Sequence, residues 1–131
     1  MTPAELRAHV ASALTGLAPD ADDDWPVHDA PVDSVTPPCF VLVWPDQWLT
    51  QQSVCTYRAQ LQIICVAARI EPAPGYEQLE QLVDAALPAL TRARVPLVAV
   101  GAALPFEIGG LQYQAARITV AGTVTLTGGM P

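Results

Sequence analysis

Three cysteines and two histidines are the residues of this sequence whose side chains could take part in nucleophilic chemistry. A thiol becomes a strong nucleophile when an imidazole takes its proton, so Cys39 with His28 is the pair to consider for a thiol enzyme. The sequence indicates no third group that would orient the His28 ring. The pattern therefore predicts no catalytic residues, and we expect that the chain is not an enzyme.

Patterns that bind metals or phosphates are missing from the sequence. It contains no CxxC or HxxxH pair, no GxGxxG turn and no Walker-type loop. The run Asp20–Asp24 lacks the glycine and the terminal glutamate of a calcium loop, so a solvated acidic loop is expected there. Cys55 and Cys65 fall on one face of an extended strand, roughly 30 Å apart, which is too far for a disulfide. We expect reduced cysteines and neither a metal nor a cofactor.

Negative charge is concentrated in one part of the chain. The formal net charge is -7, and the segment 18–50 contains seven aspartates without an arginine or a lysine. Phosphate binding requires clustered cations, which argues against a protein that grips DNA; an acidic surface would let DNA pass without adhering. No apolar run approaches the roughly 20 residues of a membrane helix, and no signal peptide is recognisable. A soluble protein made in the cytoplasm is expected.

The segment Cys55–Ala68 alternates as a strand with one buried face does. The buried register consists of Cys55, Tyr57, Ala59, Leu61, Ile63 and Cys65. The other register is polar as far as Gln62 and then becomes apolar at Ile64, Val66 and Ala68. A strand that is apolar on both sides needs a cover from a helix or from another subunit, so Ile64 and Val66 are candidate interface residues.

Two helices are predicted. Thr2-Pro3-Ala4-Glu5 has the form of a capping box with proline at the first helical position, and an apolar stripe follows as far as Gly16–Pro19. Spacings of three and four between apolar residues predict a second helix over Gly75–Leu90. Pro88 lies inside that pattern, so a kink or a break is expected near Asp84–Leu87.

Four further strands complete the predicted fold. They are Trp25–Asp29, Cys39–Trp44, Val95–Val100 and Leu111–Leu126. Gly109-Gly110 predicts a tight, projecting hairpin. The loop Pro45–Ser53 contains Trp48 and Leu49, which either fold back over the core or serve as contact anchors. The prediction is an α+β fold, an antiparallel β-sheet with two main α-helices packed against it, in a single domain 1–131 whose residues 1–4 and 127–131 are frayed.

Three phrases of the sequence, in this order, carry a family resemblance: WPVHDAPVDSVTPPCFVLVW, YEQLEQLVDAALPAL and FEIGGLQYQAARITV. With the leading helix and the long strand, they resemble the small tail terminator proteins of long-tailed bacteriophages, particularly those that infect actinobacteria. The resemblance extends from Leu6 to about Leu126. It implies a small α+β domain and a hexameric ring that caps the tail tube and docks to the head–neck proteins. The family has no catalytic residues.

The resemblance also implies partners and a location. They are a homo-oligomeric ring in the tail or neck of the virion, the tail tube protein, the head–tail connector protein, and DNA that passes through the lumen without specific binding. The candidate interface residues are Trp48, Leu49, Ile64, Val66, Gly109 and Gly110. We expect that an Ile64→Asp or Val66→Asp change abolishes the ring, or unfolds the monomer if the first helix covers these residues.

Three further functions remain open from the sequence. Head–tail connector, or neck, proteins are similar to this chain in size and composition. An acidic binding module could instead use the aromatic side chains of Trp25, Trp44 and Trp48 around a cleft. A thiol enzyme built on Cys39 and His28 would need an activity that is sensitive to alkylation.

Overall fold

The computed structural model describes residues 1–17, 24–32, 35–68, 72–101 and 104–126, and backbone alone at 72 and 73. Within them the chain forms an α+β fold with two helices and a mixed sheet of seven strands. The elements are α1 (Pro3–Leu14), β1 (Val27–His28), β2 (Cys39–Val43), β3 (Leu49–Gln51), β4 (Tyr57–Val66), α2 (Pro72–Arg92), β5 (Leu97–Val100), β6 (Leu104–Ile108) and β7 (Leu111–Val124). Residues 20–23 of the predicted acidic loop Asp20–Asp24, and the predicted frayed end 127–131, lie outside the described residues.

Strands β4 and β7 form the centre of the sheet. They pair antiparallel along all 10 residues of β4, from Tyr57 opposite Val124 to Val66 opposite Ala115. The order is β1-β2-β4-β7-β5. The predicted purely antiparallel sheet is wrong in one place, because β1 pairs parallel with β2. Val27 lies opposite Phe40 and His28 opposite Val41, so β2 starts beside β1 and runs the same way.

Each central strand carries two short strands end to end along its outer side. Strands β2 and β3 both pair with β4 on the side away from β7, and β5 and β6 both pair with β7 on the side away from β4. The predicted loop Pro45–Ser53 is therefore shorter than expected, because its residues Leu49–Gln51 pair with Tyr57–Ala59. We call β5 and β6 the outer edge of the sheet.

Helix α1 starts with the predicted capping box. The Thr2 amide donates to Glu5 Oε1 at 3.0 Å, and the Glu5 amide donates to Thr2 Oγ1 at 3.2 Å. The Met1 carbonyl accepts a bond from the Thr125 amide at 2.8 Å, just before the helix begins at Pro3. Leu6 packs against the sheet where Gly122 leaves room, since a Cβ at Gly122 would lie 2.9 Å from Leu6 Cδ1.

Helix α2 confirms the predicted Gly75–Leu90 helix and extends beyond both of its ends, from Pro72 to Arg92. The helix is continuous through Pro88, so the predicted break is wrong. Proline removes the hydrogen bond to the carbonyl of Asp84, but Pro88 and Asp84 are both exposed, and water can satisfy that carbonyl. In the described part of the chain, neither helix is long and apolar enough to cross a lipid bilayer.

The two faces of the sheet are covered differently. Both helices pack on the face formed by residues such as Leu61, Ile63 and Ile118, and together they make the helix-side core. On the opposite face lies a second core of Cys39, Val41, Ile64, Val66, Ile108 and Ala115. Phe106 and Tyr113 of the β6–β7 hairpin pack against this second core. The second face is therefore closed within one chain, by a hairpin and not by α1.

Candidate interaction surface

The cysteine thiols considered above as nucleophiles lie in positions that do not favour nucleophilic reactivity. Cys39 and Cys65 are buried in the second core and in the helix-side core respectively, on opposite faces of the sheet. Burial raises the pKa of the Cys39 thiol to about 11 and that of Cys65 to about 12. Thiolate is therefore scarce at neutral pH at both sites. Cys55 is half-buried beside β3 and β4.

The Cys39–His28 pair gains no orienting group from the fold. His28 lies on β1 opposite Val41, and its Nε2 atom is buried without a hydrogen-bond partner among the described residues. A general base needs a partner that fixes its tautomer and ring orientation. Nor do the described residues contain a group of three or more side chains that could hold a metal ion.

The three tryptophans all pack against the helix-side core, where Trp25 is buried and Trp44 and Trp48 are half-buried. Trp25 is 6% exposed and meets the Phe40 ring edge-on at 5.8 Å between centroids. Trp44 and Trp48 stack on each other at 4.1 Å and pack against the helix-side core, as does Leu49. Trp48 and Leu49, two of the expected interface residues, therefore contribute to packing within the chain. This arrangement gives the aromatic binding module no support.

The other four expected interface residues fall into two groups. Ile64 and Val66 have no exposed surface, because the second core covers them within the same chain. Gly109 and Gly110 form the expected two-residue turn, with φ angles of 59° and 82°, between the paired residues Ile108 and Leu111. Both glycines are exposed at the tip of the β6–β7 hairpin.

The outer edge exposes aliphatic side chains, most of them in the predicted strand Val95–Val100. Leu97 is 50% exposed, Val98 and Val100 are each 42% exposed, and Leu104 is 51% exposed. The strand order ends at β5, so no other strand in the described part of the chain covers its outer side. An uncovered edge presents unpaired backbone N–H and C=O groups to which another chain can add. The sequence shows the apolar run LVAV, but it does not show that this run forms the edge of the sheet.

A groove runs between α2 and β5, and we call it the α2 groove. Its volume is about 550 Å³, and its lining consists of Tyr76, Leu79, Glu80, Val83, Asp84, Leu87, Val100 and Ala116. The lining is apolar except for the two carboxylates, which are exposed. Val100 belongs to both the outer edge and the α2 groove, so exposed apolar residues of β5 lie beside a groove that carries two carboxylates. Such a surface is suited to a protein contact with an apolar centre and a charged rim.

Comparison with protein-family models and with curated proteins identifies no relative of this chain. No protein-family model and no curated protein matches this sequence. The outer edge, the α2 groove and the sequence phrases are therefore the features from which a function can be inferred.

Proposed function

We propose that this chain is a tail terminator protein of a long-tailed bacteriophage, the subunit of a hexameric ring that caps the tail tube in the virion. The three sequence phrases that resemble this family support the proposal, and the α+β fold agrees with it. The observation that carries it is the exposed apolar outer edge beside the α2 groove. A ring subunit requires a surface of this kind.

The composition of the outer edge favours contact with protein. Isolated exposed aliphatics are ordinary, but here Leu97, Val98 and Val100 follow one another along β5, an edge strand that is paired with β7 on one side only. Free edge strands are usually short or protected by charge, because they otherwise join other chains. The segment 95–106 contains no charged residue. A second copy of the chain would remove this apolar strand from water.

The electrostatics fit a ring through which DNA passes. A net charge of -7 repels phosphates, so a lumen formed by such subunits would release DNA and would not bind it. The two open ends of the ring would contact the tail tube protein on one side and the head–tail connector protein on the other. No step of this role requires a catalytic residue or a cofactor.

Light scattering and negative-stain imaging of the purified protein test the proposal. We expect a single oligomer with a central opening. Leu97→Asp places a charge on the outer edge and should yield a folded monomer with an unchanged circular dichroism spectrum. Ser12→Asp adds the same charge at an exposed position of α1 and should leave the oligomer intact.

The partner distinguishes a terminator from a connector. A ring that binds the end of a polymerised tail tube is expected. A ring that binds only the head portal would show a connector protein instead. A wild-type chain that stays monomeric at all concentrations would refute both functions.

A further inference from the structure

The hairpin between β3 and β4 exposes an apolar residue at an ordered tip. Val54 is 86% exposed, more than any other large apolar side chain that the structure describes. The amides of Gln52 and Ser53 donate to the Thr56 carbonyl at 3.0 and 3.2 Å, so the turn is hydrogen-bonded. An ordered tip loses little conformational entropy when it inserts into a partner.

The β3–β4 hairpin and the α2 groove lie towards opposite edges of the sheet. The hairpin belongs to the side of β4 that faces away from β7, and β5 lies on the far side of β7. One copy therefore cannot fill its own groove with its own hairpin. Two copies can make this contact, and each then has one free hairpin or one free groove for the next copy.

Charge also matches between the two surfaces. Arg58 is exposed on β4 beside the hairpin, whereas Glu80 and Asp84 are exposed at the groove. A symmetric contact between two α2 grooves would instead bring the carboxylates of both copies together, in a chain that already carries a net charge of -7. Complementary charges favour the asymmetric arrangement and like charges oppose the symmetric one.

We propose that the β3–β4 hairpin of one copy inserts Val54 into the α2 groove of the next copy. This inference rests on the proposed ring and specifies the junction that repeats around it. The apolar Val54 side chain enters an apolar groove of about 550 Å³, and Arg58 lies near the carboxylates of its border. Because the two contacting patches differ, the junction is heterologous and closes into a ring when the rotation per copy divides a full turn.

Cys55, next to Val54, is a built-in reporter for this junction. We would introduce Val83→Cys in the groove and oxidise the oligomer with copper–phenanthroline. Disulfides between Cys55 of one copy and the new cysteine of the next should give a ladder of covalent oligomers on non-reducing gels. Cys39 and Cys65 are not substituted in these variants, because both are buried. The ladder should disappear when Cys55→Ser is added, and Ser12→Cys, on exposed α1 surface, should give none.

A second variant tests the same contact without new thiols. Val54→Asp should dissociate the oligomer into folded monomers, whereas Val32→Asp, at another exposed valine, should leave it assembled. The wild-type oligomer could instead stay intact, give no ladder and be unaffected by Val54→Asp. That result would overturn the hairpin–groove junction without contradicting the ring. Crosslinks that join two introduced groove cysteines would overturn it in favour of a symmetric contact. A wild-type chain that never assembles would refute the ring and the junction together.

Discussion

Replacing Ile64 with alanine should destabilise the folded subunit and not merely its assembly. Ile64 has no exposed surface and packs in the second core with residues such as Val41, Val66 and Ile108. The change deletes three side-chain carbons, which at about 0.8 kcal/mol each is about 2.4 kcal/mol of lost transfer free energy. The cavity left behind adds to this loss, and measured isoleucine-to-alanine changes fall at about 2–5 kcal/mol.

Urea denaturation followed by circular dichroism measures the effect, at concentrations where the chain is monomeric. With a slope of roughly 1–3 kcal/mol per molar urea, a loss of about 3 kcal/mol lowers the midpoint by at least about 1 M. Val98→Ala on the exposed outer edge is the matched control and should cost less than about 1 kcal/mol. An unchanged midpoint for Ile64→Ala, together with loss of the oligomer, would show that Ile64 lies at a subunit junction and refute the reasoning from burial.

Three further predictions concern the thiols and the first helix. In the native protein Cys55 alone should react rapidly with a thiol reagent, and Cys39 and Cys65 only after unfolding, so equal rates for all three would contradict their burial. The raised pKa of Cys39 keeps its thiol neutral in the fold, so stability is fully present below about pH 9 and falls as pH rises towards 11; the Cys39→Ala variant should show a shallower fall in alkaline unfolding. Thr2→Ala removes the capping bond to the Glu5 amide and should lower the thermal midpoint, at a cost of about 1 kcal/mol; an unchanged midpoint would show that the cap is not needed.

Local sequence patterns correctly predicted those elements that depend on residues close together in the sequence. The capping box located the start of α1, and the spacing of apolar residues located α2. Strand β3 was missed because its three residues include two polar ones and its partner on β4 supplies the pairing. The kink or break near Asp84–Leu87 was predicted from Pro88 alone, but packing of Leu82, Ala86 and Leu90 in the helix-side core keeps the helix continuous.

The local sequence pattern could not identify the element that covers Ile64 and Val66. Their register correctly signalled that something must cover an apolar patch, and the sequence offered a helix or a subunit. The cover is Ile108, Phe106 and their hairpin, some forty residues further along the chain. Side-chain period shows that a face is buried and does not show which element buries it.

The outer edge has two halves with different roles. In β6, Ile108 is buried and Phe106 is half-buried, because this half folds against the second core. In β5 every residue is exposed, although the strand is as apolar as the core itself. Changes in β6 should therefore act on the stability of the subunit, and changes in β5 on its association with other copies. Since β7 pairs with both halves, the strand that completes the fold also holds the exposed strand β5 in position.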